Sequence, residues 1–302
     1  MQIRNMRNLR TIKLLCNSEF TTKGEVLKVL FWNAGKEKVD DLLAPLAMAG
    51  ELDLLILAEY DPEKNDFLSK VNLTEDTFEE IPQIGCNRVR IYIRSGIATY
   101  EHGPESSYFT SKKLSFSEDF AMLLVGVHLP SKLNQSEQTQ VLEAAEFKRE
   151  MEEAERVLET NNTFIVGDFN MNPFEAGMVG ASAFHSIPCE KIASAGSRII
   201  KEREHKYFYN PMWNLFGDSD SNPGSYFHRS SEQTVFFWNI LDQVILRPDL
   251  SPFFIKNSLE VLRSINDVSL VGESGRPNIS DHLPIKFEFN LREVLEYEEF
   301  VA

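Results

Sequence analysis

The stretch Thr163-Phe164-Ile165-Val166-Gly167-Asp168-Phe169-Asn170-Met171-Asn172-Pro173 decides how the rest of this chain is read. Thr163 to Val166 is a short apolar run with β-branched residues, and it reads as a buried strand. The strand stops at Gly167, and Pro173 forbids any further ladder. Between them stand a carboxylate and a carboxamide, Asp168 and Asn170. If the backbone stays extended past Gly167, both side chains fall on one side of it. Such a pair at the open end of a buried strand is poor core material, but it can hold a water or hydroxyl. Gly, Asp and Asn also favour turns, so these residues alone favour a plain turn after a strand.

The rest of the chain reverses that balance. Val26 to Trp32 is followed by Asn33, Leu52 to Ala58 by Glu59, and Ala121 to Val127 by His128. Ile240 and Leu241 lead into Asp242 inside the run Trp238 to Leu246, and Ser280-Asp281-His282 opens the strand Ile285 to Phe289. Taken singly, a His after an apolar run is usually structural, and an Asp or Glu at a strand end is usually solvated. Together these places supply Asn, Glu, His, Asp, Asn, Asp, Asp and His from one recurring position in the pattern.

In this order, Asn33, Glu59, His128, Asp168/Asn170, Asp242 and Asp281/His282 resemble the motifs of the endonuclease/exonuclease/phosphatase superfamily. Its members include deoxyribonucleases, abasic-site endonucleases, sphingomyelinases and inositol polyphosphate 5-phosphatases. The motifs span roughly residues 26 to 289, and the Gly-Asp-Phe-Asn and Ser-Asp-His pair is specific when both stand at strand ends. The resemblance implies a four-layer α/β sandwich. Two mixed sheets pack face to face, with helices outside and the site at one sheet edge. It also implies Mg²⁺ (or Mn²⁺) held by Glu59, with Asn33 supplying an amide oxygen and Asp281 a second carboxylate. Asp168 and Asn170 would orient the attacking water. His282, oriented by Asp242, and His128 would act on the phosphate or the leaving group. Two departures from the family pattern are Ala58, where many members carry Gln, and the run Asn239-Ile240-Leu241-Asp242-Gln243 around the orienting Asp. The sequence offers no partner carboxylate for His128.

Composition bounds the remaining readings. The chain has 302 residues and 42% hydrophobic content, enough for a large core. We expect residues 1–24 to be an N-terminal extension and 25–302 a single domain, because no linker or repeat divides the chain. Three scattered Cys without C-x-x-C argue for a reducing compartment and against structural zinc. No apolar run of membrane-spanning length and no secretory leader is present, so the expected location is cytoplasmic, away from membranes.

The net charge is −15, whereas nucleic-acid binders are usually basic. Much of the acid is local. Glu137 to Glu159 has apolar positions (Val141, Ala145, Met151, Ala154, Leu158) at helical spacing, and reads as a helix with an acidic outer face. Basic residues gather at Arg88/Arg90/Arg94, Lys112/Lys113, Lys132 and Arg198/Lys201/Arg203/Lys206. The leading expectation is a metal-dependent nuclease acting on DNA or RNA. The alternative, favoured by the charge, is a phosphatase or phosphodiesterase for a small phosphoester. A catalytically silent binding module is a third reading, and retention of all eight polar positions argues against it. The sequence leaves the oligomeric state open.

Other elements expected are a helix over Lys36–Ala49, helical and loop-like structure over 61–80, a one-face-polar strand over Arg88–Arg94, strands at 114–117 and 121–127, and irregular chain over 174–235.

Overall fold

A computed structural model describes residues 25–73, 77–132, 136–217, 223–231 and 233–292. The expected N-terminal extension and the acidic tail from Glu293 onward lie outside the described residues. The apolar runs read above become strands of two sheets. In chain order the main elements are β1 (Val26–Asn33), α1 (Asp40–Met48), β2 (Leu54–Ala58), α2 (Phe67–Val71), β3 (Phe78–Ile81), β4 (Val89–Arg94), β5 (Thr99–Glu105), β6 (Phe109–Ser115), β7 (Ala121–His128), α3 (Glu137–Val157), β8 (Thr163–Asp168), β9 (Asp242–Leu246) and β10 (Ile285–Asn290).

The first sheet has six strands, in the order Glu260–Val261, β10, β1, β2, β4, β3. The second has seven, in the order β5, β6, β7, β8, β9, Phe208–Tyr209, Ser186–Ile187. Both are mixed, because β1 runs parallel to β2 and β7 parallel to β8, while their other partners are antiparallel. The sheets face each other through β1 and β2 on one side and β7 and β8 on the other. The space between them is filled by aromatic rings, with Phe164 of β8 lying 5.1 Å from Phe289 of β10. Phe31, Trp32, Phe164, Phe287 and Phe289 are fully buried, each worth roughly 1.5–3 kcal/mol of transfer free energy. Gly126 lets the sheets approach, since a Cβ there would sit 2.9 Å from Val89 Cγ1.

Helices close the outer faces. Phe67 of α2 packs on Tyr92, and the Arg94 guanidinium donates to the Ala47 carbonyl at the end of α1. On the other side, Phe147, Met151 and Ala154 of α3 pack on the outer residues Leu123, Val125 and Ile165. The result is helix, sheet, sheet, helix: the four-layer α/β sandwich expected.

Several boundaries differ from the reading above. Helix α1 starts at Asp40, because Asn65 Oδ1 accepts from the Val39 N–H and holds the segment before it. Strand β6 begins at Phe109, and β5 was not anticipated at all. Gly103-Pro104 hid β5, and Lys112 hid the middle of β6, where it lies fully buried. Helix α3 buries Met151, Ala154 and its C-cap Leu158 as expected, but its first half turns Gln140, Ala144, Phe147 and Lys148 inward and leaves Val141 and Ala145 half-buried. Its buried Glu155 pairs with Arg247 at 2.7 Å. The polar face of β4 does not meet open water, since Tyr92 is buried and Arg94 pairs with Asp53 at 3.0 Å.

Candidate active site

Strand pairing brings the polar residues together. In the second sheet, His128 pairs with Asp168 in parallel register, and Asp168 pairs with Asp242 in antiparallel register. Three of the expected side chains therefore stand in a row on three adjacent strands. In the first sheet Asn33 pairs with Ala58, which places Glu59 one residue beyond. The site lies at the ends of these central strands, rather than along an edge strand.

The chain continues as a strand through Gly167 to Asp168, one residue further than read from sequence. Only glycine fits at 167. Its φ is 154°, and a Cβ would sit 2.0 Å from the Val127 carbonyl oxygen. After Asp168 the backbone does not stay extended. Asn170 has φ 51°, its N–H donates to Asp168 Oδ1 at 2.8 Å, and its Nδ2 donates to the Leu129 carbonyl. The backbone therefore turns at Asn170, as the turn-favouring residues allowed, and does not continue extended. Glu59 also has a left-handed backbone, φ 47°. A non-glycine residue held there costs on the order of 1–3 kcal/mol, and such residues concentrate at functional sites.

Seven of the eight expected side chains line one cleft of about 710 Å³: Asn33, Glu59, His128, Asp168, Asn170, Asp281 and His282. Asp242 is fully buried behind His282, with its Oδ2 2.8 Å from His282 Nδ1. The other ring nitrogen, Nε2, lies 3.8 Å from Asp168 Oδ2. Contacts with β1 and within residues 280–282 hold the His282 backbone. The Trp32 indole donates to the His282 carbonyl, Ser280 Oγ donates to the Asn33 carbonyl, and the His282 N–H donates to Ser280 Oγ. Burial alone would push the His282 pKa down, but the facing carboxylates of Asp242 and Asp168 raise it well above the usual value. Burial pushes the Asp168 carboxyl up, against the pull of the His282 charge.

Asn33 is turned differently from the expectation. Its oxygen accepts from the Gly35 N–H at 3.1 Å, and its nitrogen donates to Asp168 Oδ2 at 3.0 Å. It therefore orients Asp168, and its amide oxygen is already engaged. The structure supplies the neighbours His128 lacked in sequence. Its Nε2 lies 3.6 Å from Glu59 Oε1 and 3.9 Å from Asp168 Oδ2. Burial pushes its pKa down to about 4, with the Arg88 and His282 charges adding to the effect. At neutral pH the ring is uncharged, so these are polar contacts and not ion pairs.

Among the described residues, Asp168, Asp242 and His282 bring ligand atoms within 4.8 Å of one another, but the charged His282 ring has no lone pair to offer a cation. That group differs from the expected ligands Asn33, Glu59 and Asp281. Glu59 and Asp281 share the cleft with it, and Asp242 Oδ1 is buried with no hydrogen-bond partner.

Sequence reading missed two contributors, and placed a third, Arg88, only in a basic patch. Tyr226 lies 4.6 Å from the His282 ring and pairs with its backbone. Ser225 Oγ accepts from the Asp242 N–H. Arg88 stands near His128. The signal for the first two was the Pro223-Gly224-Ser225-Tyr226-Phe227 run, set in otherwise irregular chain. Gly224 permits their placement, since a Cβ would lie 2.5 Å from the Asn239 carbonyl oxygen. Single lysines of three expected basic patches are already paired: Lys112 with Glu105, Lys132 with Glu175, and Lys206 with Glu155.

No protein-family model matches the sequence, and no curated protein matches it. Solved structures do share its fold. D. rerio TDP2 complexed with a single-strand DNA product is 19% identical, with TM-score 0.54, covering 88% of this chain and 99% of that chain. The endonuclease domain of TRAS1, a telomere-specific non-LTR retrotransposon, is 10% identical, with TM-score 0.52 and the same coverages, 88% and 99%. An endonuclease/exonuclease/phosphatase family protein from Bacteroides thetaiotaomicron is 14% identical, with TM-score 0.51, covering 87% and 97%.

Proposed function

We propose that this chain, which has the endonuclease/exonuclease/phosphatase fold, is a divalent-metal-dependent phosphodiester hydrolase acting on nucleic acid. The observation that carries the reading is the row His128, Asp168, Asp242, with His282 and Glu59 closing on it from the other sheet. It joins a carboxylate that can take a proton to two imidazoles in opposite charge states, which is an acid–base set for ester cleavage.

The donors fit a hard cation. Glu59 and Asp281 offer carboxylate oxygens to the cleft, and neither Cys86 nor Cys189 lines it. Mg²⁺ and Mn²⁺ prefer oxygen ligands, and Mg²⁺ keeps several waters. When bound there, the ion supplies Lewis-acid polarisation of a phosphoryl oxygen. Asp168, steadied by Asn33 and the Asn170 N–H, accepts the proton of the attacking water. The water oxygen bonds to phosphorus as the ester P–O bond breaks. The charged His282 ring donates a hydrogen bond from Nε2 to the phosphoryl group. The neutral His128 faces the leaving oxygen, which departs as an alkoxide and takes its proton from solvent water.

The net charge of −15 favours a second reading, hydrolysis of a small phosphoester. Hydrolysis of bis(p-nitrophenyl) phosphate should require Mg²⁺ or Mn²⁺ and vanish in excess chelator; undiminished activity in chelator would overturn the mechanism. A panel of plasmid, single-stranded DNA, RNA and small phosphoesters separates the two substrate readings.

A further inference from the structure

The cleft does not end at the catalytic side chains. Beyond Glu59 and His128 it opens into a hollow of about 540 Å³ bordered by Lys36, Arg88 and Arg90, with Asp61 as a carboxylate among them. Beyond Lys132, His228 and Asn239 it opens into another of about 370 Å³ bordered by Phe174 and Phe236. Each hollow shares lining residues with the catalytic cleft, and the two share none with each other. The reactive centre therefore lies between a cationic hollow and an aromatic one.

The two ends have different chemistry. Arg90 is paired with Glu80 at 2.8 Å. The Arg88 guanidinium stacks 4.7 Å over the Tyr108 ring, and neither it nor Lys36 has an ion-pair partner among the described residues. Both cations are available to an anion. In the other hollow Phe236 is 54% exposed, and its ring stands 5.3 Å from Phe174, which also packs on Phe216. Phe216 and Phe237 are 39% and 48% exposed. Exposed aromatic rings gathered beside a polar cleft mark a binding surface.

We infer that this groove takes a single-stranded polynucleotide, with a backbone phosphate on Lys36 and Arg88 and an unpaired base stacked on Phe236. This deepens the phosphodiester reading of the catalytic cleft and rests on it for the position of the reacting ester. An aromatic face can stack only on a base whose own face is free, which the interior of a duplex does not offer. Charge points the same way. A duplex carries one negative charge per roughly 1.7 Å of axis, about twice that of a single strand, and would approach a chain of net charge −15. Two unpaired cations suit the weaker field.

The test is fluorescence anisotropy of a labelled 12-nucleotide single strand and of the same sequence as a duplex. The full-length protein is held in excess chelator so that nothing is cut, and binding is followed across a salt series. The single strand should bind more tightly than the duplex. Phe236→Ala should weaken single-strand binding about tenfold or more with an unchanged salt slope, since stacking is not ionic. Phe236→Trp, which keeps an aromatic face, should restore it. The double variant Lys36→Ala/Arg88→Ala should reduce the salt slope by about 1.4, as two lost phosphate contacts require. Equal binding of duplex and single strand, or Phe236→Ala binding like the parent, would overturn the inference. If the binding results hold while the parent fails to hydrolyse bis(p-nitrophenyl) phosphate with metal, the catalytic reading falls and the binding surface stands.

Discussion

His282 keeps its proton because two carboxylates face it, and one of them, Asp242, has no access to the cleft. Asp242 can therefore act only through the ring it holds. Groups that work as a unit give non-additive losses. His282→Ala should slow hydrolysis by about 10²- to 10⁴-fold, Asp242→Asn by less, and the double variant by no more than His282→Ala alone. Losses that multiply, read from steady-state rates, would mean that the two residues act independently. Asp242→Asn should also lower the pKa of the His282 imidazole, measurable by NMR titration of its ring protons. Gly167 is the other decisive single residue. Gly167→Ala pushes a methyl against the Val127 carbonyl between two paired strands, so it should cost at least about 3 kcal/mol of stability. An unchanged melting temperature would show that the strand can shift at no cost.

Individual elements carry their own electrostatics. The loop before β4 is held by Glu105 at the end of β5. Glu105 Oε2 accepts from the N–H groups of Ile84, Gly85 and Cys86, and Oε1 from Thr110 and the buried Lys112. Burial alone would raise the Glu105 pKa, but the hydrogen bonds from Lys112, Thr110 and Gly85 hold it down at about 2, below its ordinary 4.5. A depressed carboxylate stabilises the fold above its unfolded pKa, and that contribution is lost as pH falls through the folded one. Urea unfolding should thus show the parent losing stability between about pH 4.5 and 2. Glu105→Gln leaves the Lys112 charge buried without its partner, which should cost about 3–5 kcal/mol at neutral pH and flatten the profile over that window. A variant as stable as the parent would mean that the loop is held by other contacts.

The whole molecule packs two sheets face to face over an apolar core, and the carboxylates proposed to hold the cation, Glu59 and Asp281, stand outside that core in the cleft. Removing metal should therefore abolish hydrolysis and leave the protein folded. Adding Mg²⁺ should raise the melting temperature only by mass action, about 2.7 kcal/mol of stabilisation at a hundred times the dissociation constant. Glu59→Gln should remain folded and lose that metal-dependent rise. If its melting temperature climbs with Mg²⁺ as the parent's does, Glu59 is not a ligand.

Strand periodicity and the polar residue after each apolar run were local signals. They placed β1, β2, β7 and β8 and the eight polar positions, because a buried strand must be apolar and its open end need not be; the sandwich layers followed only from the family resemblance. Elements governed by contacts distant in sequence were not legible. Strand β5 contains Gly-Pro and is held by pairing with β6, and the inward face of α3 includes Lys148 and Glu155 because Arg247 and nearby carbonyls receive them. Sequence determined which groups stand at strand ends. Tertiary structure alone decided which of them touch: strand register set Asp168 between His128 and Asp242, and sheet packing turned Asn33 toward Asp168 and brought Tyr226 against His282. Those contacts join residues up to 135 positions apart, and no local propensity encodes a distance across two sheets.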